Sequence, residues 1–360
     1  MKKTRKRILT VLLILLAVLA VAVAGYFIYF FSSYHRIPDN QELEVFNTGA
    51  QDTVKAGTDY TITTFNIGFG AYSDDYSFFM DGGTESWAFS RQAVLDDTNG
   101  ALSIIEAQKP DFSLFQEVDL NSTRSYHVDQ SAMLYEALPD MNHVLSMDFD
   151  SPFLFYPFTQ PHGRSRSSIV TMGRFTMNSA VRRSLPIDQG FSKYTDLDRC
   201  FSVTEFTVDN GKKLYLYNVH LSAYSNEPTT VESQVKLLAA DIQNRYADGN
   251  YVVVGGDFNQ DMLDTSAEVF GTTESYSWTQ KFNASLLPDY CHIVLPTDEN
   301  NIIPSCRLAD KPYVEGESFV ITIDGFIVSD NISVSELQTI DAKFQYSDHN
   351  PVRMQFTLEG

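Results

Sequence analysis

A chain of 360 residues, 43% of them hydrophobic, carries enough apolar material for one large domain or two ordinary ones. Its 46 acids against 26 Lys and Arg give a net charge of −20, and setting aside the five basic residues of MKKTRKR leaves about −25. That balance disfavours long-range attraction to nucleic acid or to an anionic lipid surface. Three cysteines are too few for a disulfide framework. Cys291 and Cys306 either pair in an oxidising compartment or, like Cys200, remain core thiols.

The chain opens on MKKTRKR, residues 1–7, followed by ILTVLLILLAVLAVAVAGYFIYFF, residues 8–31, a charge-free run long enough to span a bilayer with some tilt. Ala22-Val23-Ala24 before Gly25 has the small-residue pattern of signal-peptide cleavage, so a secreted form is the alternative. The run continues past that site and is longer than a signal core, which favours an uncleaved anchor. The basic flank is then expected in the cytoplasm, the cluster Tyr26 to Phe31 at the interface, and the rest outside the plasma membrane. Residues 32–59, polar with Pro38, Asn40 and Gly57, read as a stalk, and residues 60–360 as one folded domain.

From Tyr60 strands and helices alternate. TITTFNI reads as a strand, GALSIIEAQ as a short amphipathic helix closed by Lys109-Pro110, and DFSLFQEV as a strand again. The aromatic stretch SPFLFYPF, residues 151–158, reads as a buried strand pair, with a lipid-facing role as the alternative. SSIVTMGRF, CFSVTEFTV and KLYLYNVHL are strands, the last two joined by Asp209-Asn210-Gly211. TTVESQVKLLAADIQNRYADG is the best helix, with Val231, Val235, Leu238 and Ile242 on one stripe and Gly249 beyond its end. YVVVGGDFN, SFVITIDGFIVS and the closing VRMQFTL complete an α/β pattern of packed sheets with outer helices.

Several apolar runs end in a polar group of chemical value. Asn66, Glu117 and His220 end three of them, Asp257 and Asn259 follow VVVGG, Asp324 sits in ITIDG, and Asp348-His349 precede the last strand. Taken singly, a strand-terminal Asp or Asn is more often a turn former and a lone His a satisfied core group. Asp257 and Asn259, at i and i+2, are expected on one side of an extended chain. Gly255 and Gly256 would let backbone and substrate approach closely.

FNIG, QEVD, NVHLSA, GGDFN, IDGFIVS and SDHNPV, in that order, resemble the successive motifs of the endonuclease/exonuclease/phosphatase superfamily. That superfamily includes deoxyribonuclease I, abasic-site endonucleases, sphingomyelinases and inositol polyphosphate phosphatases. The resemblance implies a sandwich of two mixed β-sheets flanked by helices, and hydrolysis of a phosphoester with Mg²⁺, for which Mn²⁺ could substitute. It implies Glu117 as the main metal ligand, Asn66 as a neighbouring ligand or positioning group, and Asp348 as a server of metal or histidine. Asp257 would orient or deprotonate the attacking water with Asn259 beside it. His220 and His349 would meet the phosphoryl oxygens or leaving group, and Asp324 would hold His349. The chemistry is consistent, because Mg²⁺ takes hard oxygen ligands and a His locked by an Asp gains a fixed tautomer.

One departure stands out. Deoxyribonuclease I places a glutamate on the strand before NVH to hold its first histidine, whereas HGRSRSSIVTM offers Arg164, Ser165 and Arg166, so the partner of His220 is unassigned. Arg164 and Arg166, with Arg124 and His127 from NSTRSYH, are candidates for a substrate phosphate or simply solvent-facing charges. The function expected is a membrane-tethered extracytoplasmic phosphoesterase acting on a phospholipid headgroup, a nucleic acid or a soluble phosphate ester, in that order. The alternative is an inactive surface binding module with the same fold, and no protein partner is inferred.

Overall fold

Alternation within single strands sets the layers. In Tyr251–Asp257, Tyr251 and Val253 enter one apolar cluster with Phe112, Leu114, Leu216 and Phe326, while Val252 and Val254 enter another with Val235, Leu238 and Ile242. Successive strand side chains point to opposite faces, so a strand apolar on both is covered on both. The computed structural model describes residues 2–48, 52–223, 228–272, 276 and 280–360.

Two seven-stranded sheets face each other across the first cluster. One runs Gln41–Glu42, Met177–Ser184, Cys200–Thr207, Lys213–His220, Tyr251–Asp257, Asp324–Ser329, Cys291–Ile293. The other runs Ile332–Thr339, Val352–Leu358, Asp59–Asn66, Phe112–Asp119, Arg166–Gly173, Asn142–Asp150, Val45–Phe46. Both are mixed. Each has one parallel pair near its middle, Lys213–His220 with Tyr251–Asp257 and Asp59–Asn66 with Phe112–Asp119. Helix Pro228–Tyr246 covers the outer face of the first sheet. Helix Arg91–Gln108 covers the second through Ala101, Leu102 and Ile105, giving the expected four-layer sandwich.

Several local expectations are revised. The helix over GALSIIEAQ starts earlier, where the Ser90 hydroxyl accepts from the Ala93 N–H at 3.0 Å, and ends at Lys109 in the left-handed conformation before Pro110. SFVITIDGFIVS breaks into Val320–Ile321 and Asp324–Ser329. SPFLFYPF is not a buried strand pair: Phe155, Tyr156 and Phe158 are exposed. All three cysteines are free and buried. The segment read as a stalk packs on the domain, Gln41–Glu42 pairing with one sheet and Val45–Phe46 with the other, while Val54 is fully buried. Helix Lys2–Ser33 has a window of mean hydropathy 3.0 with none of it buried, long and apolar enough to cross a membrane.

The glycine pair also serves a different purpose from the one expected. A Cβ at Gly255 would stand 2.5 Å from Phe326 and 2.7 Å from Leu114, and Gly256, at φ 145°, lies against the Val219 backbone. The close approach these glycines make in the fold is between the sheets and between neighbouring strands. Gly256→Ala is expected to destabilise the fold by about 3 kcal/mol or more, from steric collision added to backbone strain. Denaturant unfolding measures it, and a midpoint equal to wild type would refute the packing role.

Candidate active site

Register brings the strand-end residues together. Asp257 is paired across the sheet with His220 on one side and Asp324 on the other. The two sheets are joined beneath this point by a buried polar bridge: the Gln116 side chain donates to Asn218 at 2.7 Å, and Asn218 donates to the carbonyls of Phe115 and Val170. Above it opens a cleft of about 440 Å³, whose walls include Glu117, His220, Asp257, Asn259, Asp348 and His349.

His349 donates from Nδ1 to Asp324 Oδ2 at 2.8 Å, and the Ser305 hydroxyl donates to the same oxygen at 2.8 Å. Burial alone would lower the His349 pKa, but the Asp324 charge and hydrogen bond outweigh it and hold the imidazole well above its ordinary value. His349 is thus a charged donor whose Nε2 faces Asp257 at 3.8 Å.

His220 is held differently. Its Nδ1 lies 3.0 Å from Asp148 Oδ2, an acid from strand Asn142–Asp150 that sequence reading missed. Burial raises Asp148 to about 6. On the other side the Arg199 guanidinium donates to Nε2 at 2.5 Å. Burial, with the Arg199 charge second, pushes His220 down to about 4, so the ring is neutral with its proton on Nδ1. The positive charge at this wall of the cleft therefore belongs to Arg199, also missed, whose Nε has no hydrogen-bond partner among the described residues.

Asp257 lies between the two rings, its Oδ2 3.6 Å from His220 Nε2. Asn66 Nδ2 donates to Oδ2 at 3.0 Å and the Asn259 backbone N–H to Oδ1 at 2.9 Å. Burial first, then the Asp324 charge, raises its pKa, making it a better proton acceptor than an ordinary carboxylate. The chain does not stay extended after Asp257, for Asn259 has φ 50° and its side chain donates to the Leu221 carbonyl. Both residues still line the cleft.

Glu117 sits at a bulge with φ 54°, which turns its carboxylate into the cleft. Asn66 spans it and Asp257: the amide nitrogen donates to both carboxylates, while Oδ1 accepts from the Gly68 N–H at 3.0 Å. That arrangement suits the positioning role rather than oxygen ligation. Burial lifts Asp348 to about 7, with the His349 and Arg307 charges opposing the rise and the Glu117 charge adding to it. Glu117 and Asp348 supply hard carboxylate oxygens to the wall of the cleft, the donor type that a divalent cation takes. Asp257, Asp324 and His349 also offer ligand-type atoms within 4.8 Å of one another, but His349 Nδ1 is committed to Asp324.

The four phosphate-binding candidates divide. Arg124 lines the cleft, clamped by Asp119 at 2.9 and 3.0 Å and stacked 3.8 Å over Phe69. His127 is exposed and bonded to Asn121 at 2.6 Å, outside the cleft. Arg164, two residues ahead of strand Arg166–Gly173, and Arg166, its first residue, both face Asp150, at 2.7 and 4.0 Å, and neither is among the residues lining the cleft.

A sandwich of two mixed sheets with aspartate-held histidines and clustered carboxylates in one cleft defines the deoxyribonuclease I-like class. A family model described as the endonuclease/exonuclease/phosphatase family matches residues 63–349, and the chain belongs to that family, whose enzymes hydrolyse phosphoester bonds. Among solved structures it is similar to an endonuclease/exonuclease/phosphatase from Beutenbergia cavernae, with 17% identity over 84% of this chain and 72% of that one, TM-score 0.54. One from Bacteroides vulgatus gives 16% identity over 84% and 100%, TM-score 0.52. ANGEL2, a 2',3'-cyclic phosphatase solved with adenosine-2',3'-vanadate, gives 15% identity over 91% and 100%, TM-score 0.55. No curated protein sequence matches. At these identities the structural likenesses establish the fold.

Proposed function

We propose that the chain is a membrane-tethered, extracytoplasmic, Mg²⁺-dependent phosphoesterase. The observation that carries this reading is the convergence of two aspartate-held histidines, His349 and His220, on the single carboxylate of Asp257. Asp257, fixed by Asn66 and Asn259, accepts the proton of the attacking water. His349 and Arg199 donate to the phosphoryl oxygens, where negative charge grows as the water adds. Glu117 and Asp348 would hold the ion, with Mn²⁺ able to replace Mg²⁺. Once bound, the ion would offset charge on the phosphoryl and leaving oxygens. The helix Lys2–Ser33 supports tethering, and the basic residues ahead of its apolar run support an extracytoplasmic domain.

Hydrolysis of bis-p-nitrophenyl phosphate tests the activity. EDTA is expected to abolish turnover and added Mg²⁺ to restore it; no hydrolysis with Mg²⁺ present would favour an inactive binding module. Glu117→Gln should raise the Mg²⁺ needed for half-maximal rate by about tenfold or more and lower turnover, with the unfolding midpoint unchanged. Unaltered metal dependence in that variant removes Glu117 from the metal site.

A further inference from the structure

The N-terminal helix and the exposed aromatic loop meet at one place. The Tyr26 hydroxyl donates to the Phe153 carbonyl at 3.1 Å and accepts from the Phe155 N–H at 3.2 Å, and the Tyr29 hydroxyl accepts from the Phe153 N–H at 3.1 Å. The rings of Tyr26 and Phe155 lie 5.7 Å apart. A second loop clasps the same helix turns, with Phe191 and Tyr194 against the buried ring of Phe30. Counted from Ile8, a hydrocarbon core of ~30 Å takes about 20 residues and ends near Phe27. With the helix spanning the bilayer as proposed above, Tyr26 would fall at the outer boundary of the hydrocarbon and residues 153–158 at headgroup depth. Around that level Phe155, Tyr156, Phe158 and Phe191 are 49%, 62%, 76% and 62% exposed, which in water alone would be an unfavourable patch.

The loop is also a wall of the catalytic cleft. Leu154 and Tyr156, with Phe79 and Met80, line the same space as Asp257 and His349, and the rings of Phe79 and Tyr156 lie 5.9 Å apart. An apolar lip at headgroup depth suits an amphiphile whose phosphate enters the cleft while its chains stay in the bilayer. It does not suit a free polyanion, since the nearby Arg164 and Arg166 both face Asp150 and the chain is strongly acidic.

We propose that this aromatic loop is the membrane-facing lip of the active site and that the substrate is a phospholipid taken from the bilayer in which the helix is embedded. The proposal rests on the phosphoesterase reading given above and specifies its substrate. In the reaction a water oxygen bonds to phosphorus, the bond from phosphorus to one ester oxygen breaks, and the departing oxygen takes a proton. One water is consumed, and no oxidant or second substrate is needed.

The test uses the full-length chain reconstituted with Mg²⁺ into vesicles of equal parts phosphatidylcholine, phosphatidylethanolamine and phosphatidylglycerol, with products followed by phosphorus NMR. Wild type is expected to hydrolyse at least one of these lipids. Phe158→Ser and the double variant Phe155→Ser/Phe158→Ser should slow lipid hydrolysis by about tenfold for each ring removed, the worth of one buried aromatic side chain. Hydrolysis of soluble bis-p-nitrophenyl phosphate should be unchanged, and Phe158→Trp should keep lipid activity. Since Phe158 is the more exposed ring and lies off the helix, its single variant separates lipid contact from loop folding. The proposal is overturned if the double variant hydrolyses vesicle lipid at the wild-type rate. It is equally overturned if wild type cleaves bis-p-nitrophenyl phosphate or a single-stranded oligonucleotide and leaves all three lipids intact. If wild type cleaves nothing, the phosphoesterase reading itself fails.

Discussion

Asp324→Asn and His349→Ala are each expected to lower kcat by about 10³-fold, and the double variant to be little worse than the worse single. The reason lies in one hydrogen bond of 2.8 Å. Asp324 keeps the buried imidazole charged and aims its Nε2 into the cleft, so removing either partner removes the same donor. The amide introduced by Asp324→Asn would preserve shape, and Ser305 could still donate to its oxygen, so the loss reports charge and tautomer rather than collapse. Rates should be taken at saturating Mg²⁺, because a change in ion affinity would otherwise imitate a change in chemistry. Additive free energies across the cycle would show that the two side chains act independently and would sink the dyad.

Arg199→Ala is expected to cost about 10²–10³-fold in kcat with a smaller change in KM, the pattern for a donor that counts most as charge develops. Its guanidinium occupies the Nε2 side of a neutral histidine whose other nitrogen is fixed by Asp148. A packing role would be lost equally whatever is added to the buffer. A charge-donating role predicts partial rescue of Arg199→Ala by millimolar guanidinium and an intermediate rate for Arg199→Lys, which keeps the charge but not the planar fork. If guanidinium restores nothing and Arg199→Lys is as slow as Arg199→Ala while both fold normally, Arg199 is a wall residue and His220 works without it.

What could be read from the sequence was local, and what could not was set by partners far along the chain. Strand-end motifs named Glu117, His220, Asp257, Asn259, Asp348 and His349, and the pairing of Asp257 with both His220 and Asp324 explains why they gather. Asp148 stayed hidden because the buried face of its strand carries Asn142, Ser146 and Asp148 with Val144, so polar residues sit where the periodicity of a strand leads one to look for apolar ones. Strand Met177–Ser184 was missed for the same reason: Arg182 is fully buried, its guanidinium bonded to the carbonyls of Met147 and Asp198. Arg199 and Ser305 have no motif at all; only the packing of distant segments gives them work. The aromatic run at 151–158 failed differently. Hydrophobicity alone does not distinguish a side chain destined for the protein's own interior from one left on its surface.

The segment ahead of Tyr60 has a practical consequence for anyone wishing to free the domain from its helix. Gln41–Glu42 completes one sheet beside Met177–Ser184, and Val45–Phe46 completes the other beside Asn142–Asp150. Arg36 and the Ile37 N–H are fastened to Asp198 a little earlier. A cut beyond Phe46 would strip both outer strands at once and leave two ladders of unpaired N–H and C=O groups, the surfaces through which sheet proteins aggregate. A cut that preserves the fold is thus confined to the few residues between Ser33 and Arg36, and a preparation that begins at Tyr60 should precipitate where one beginning at Tyr34 keeps both outer strands.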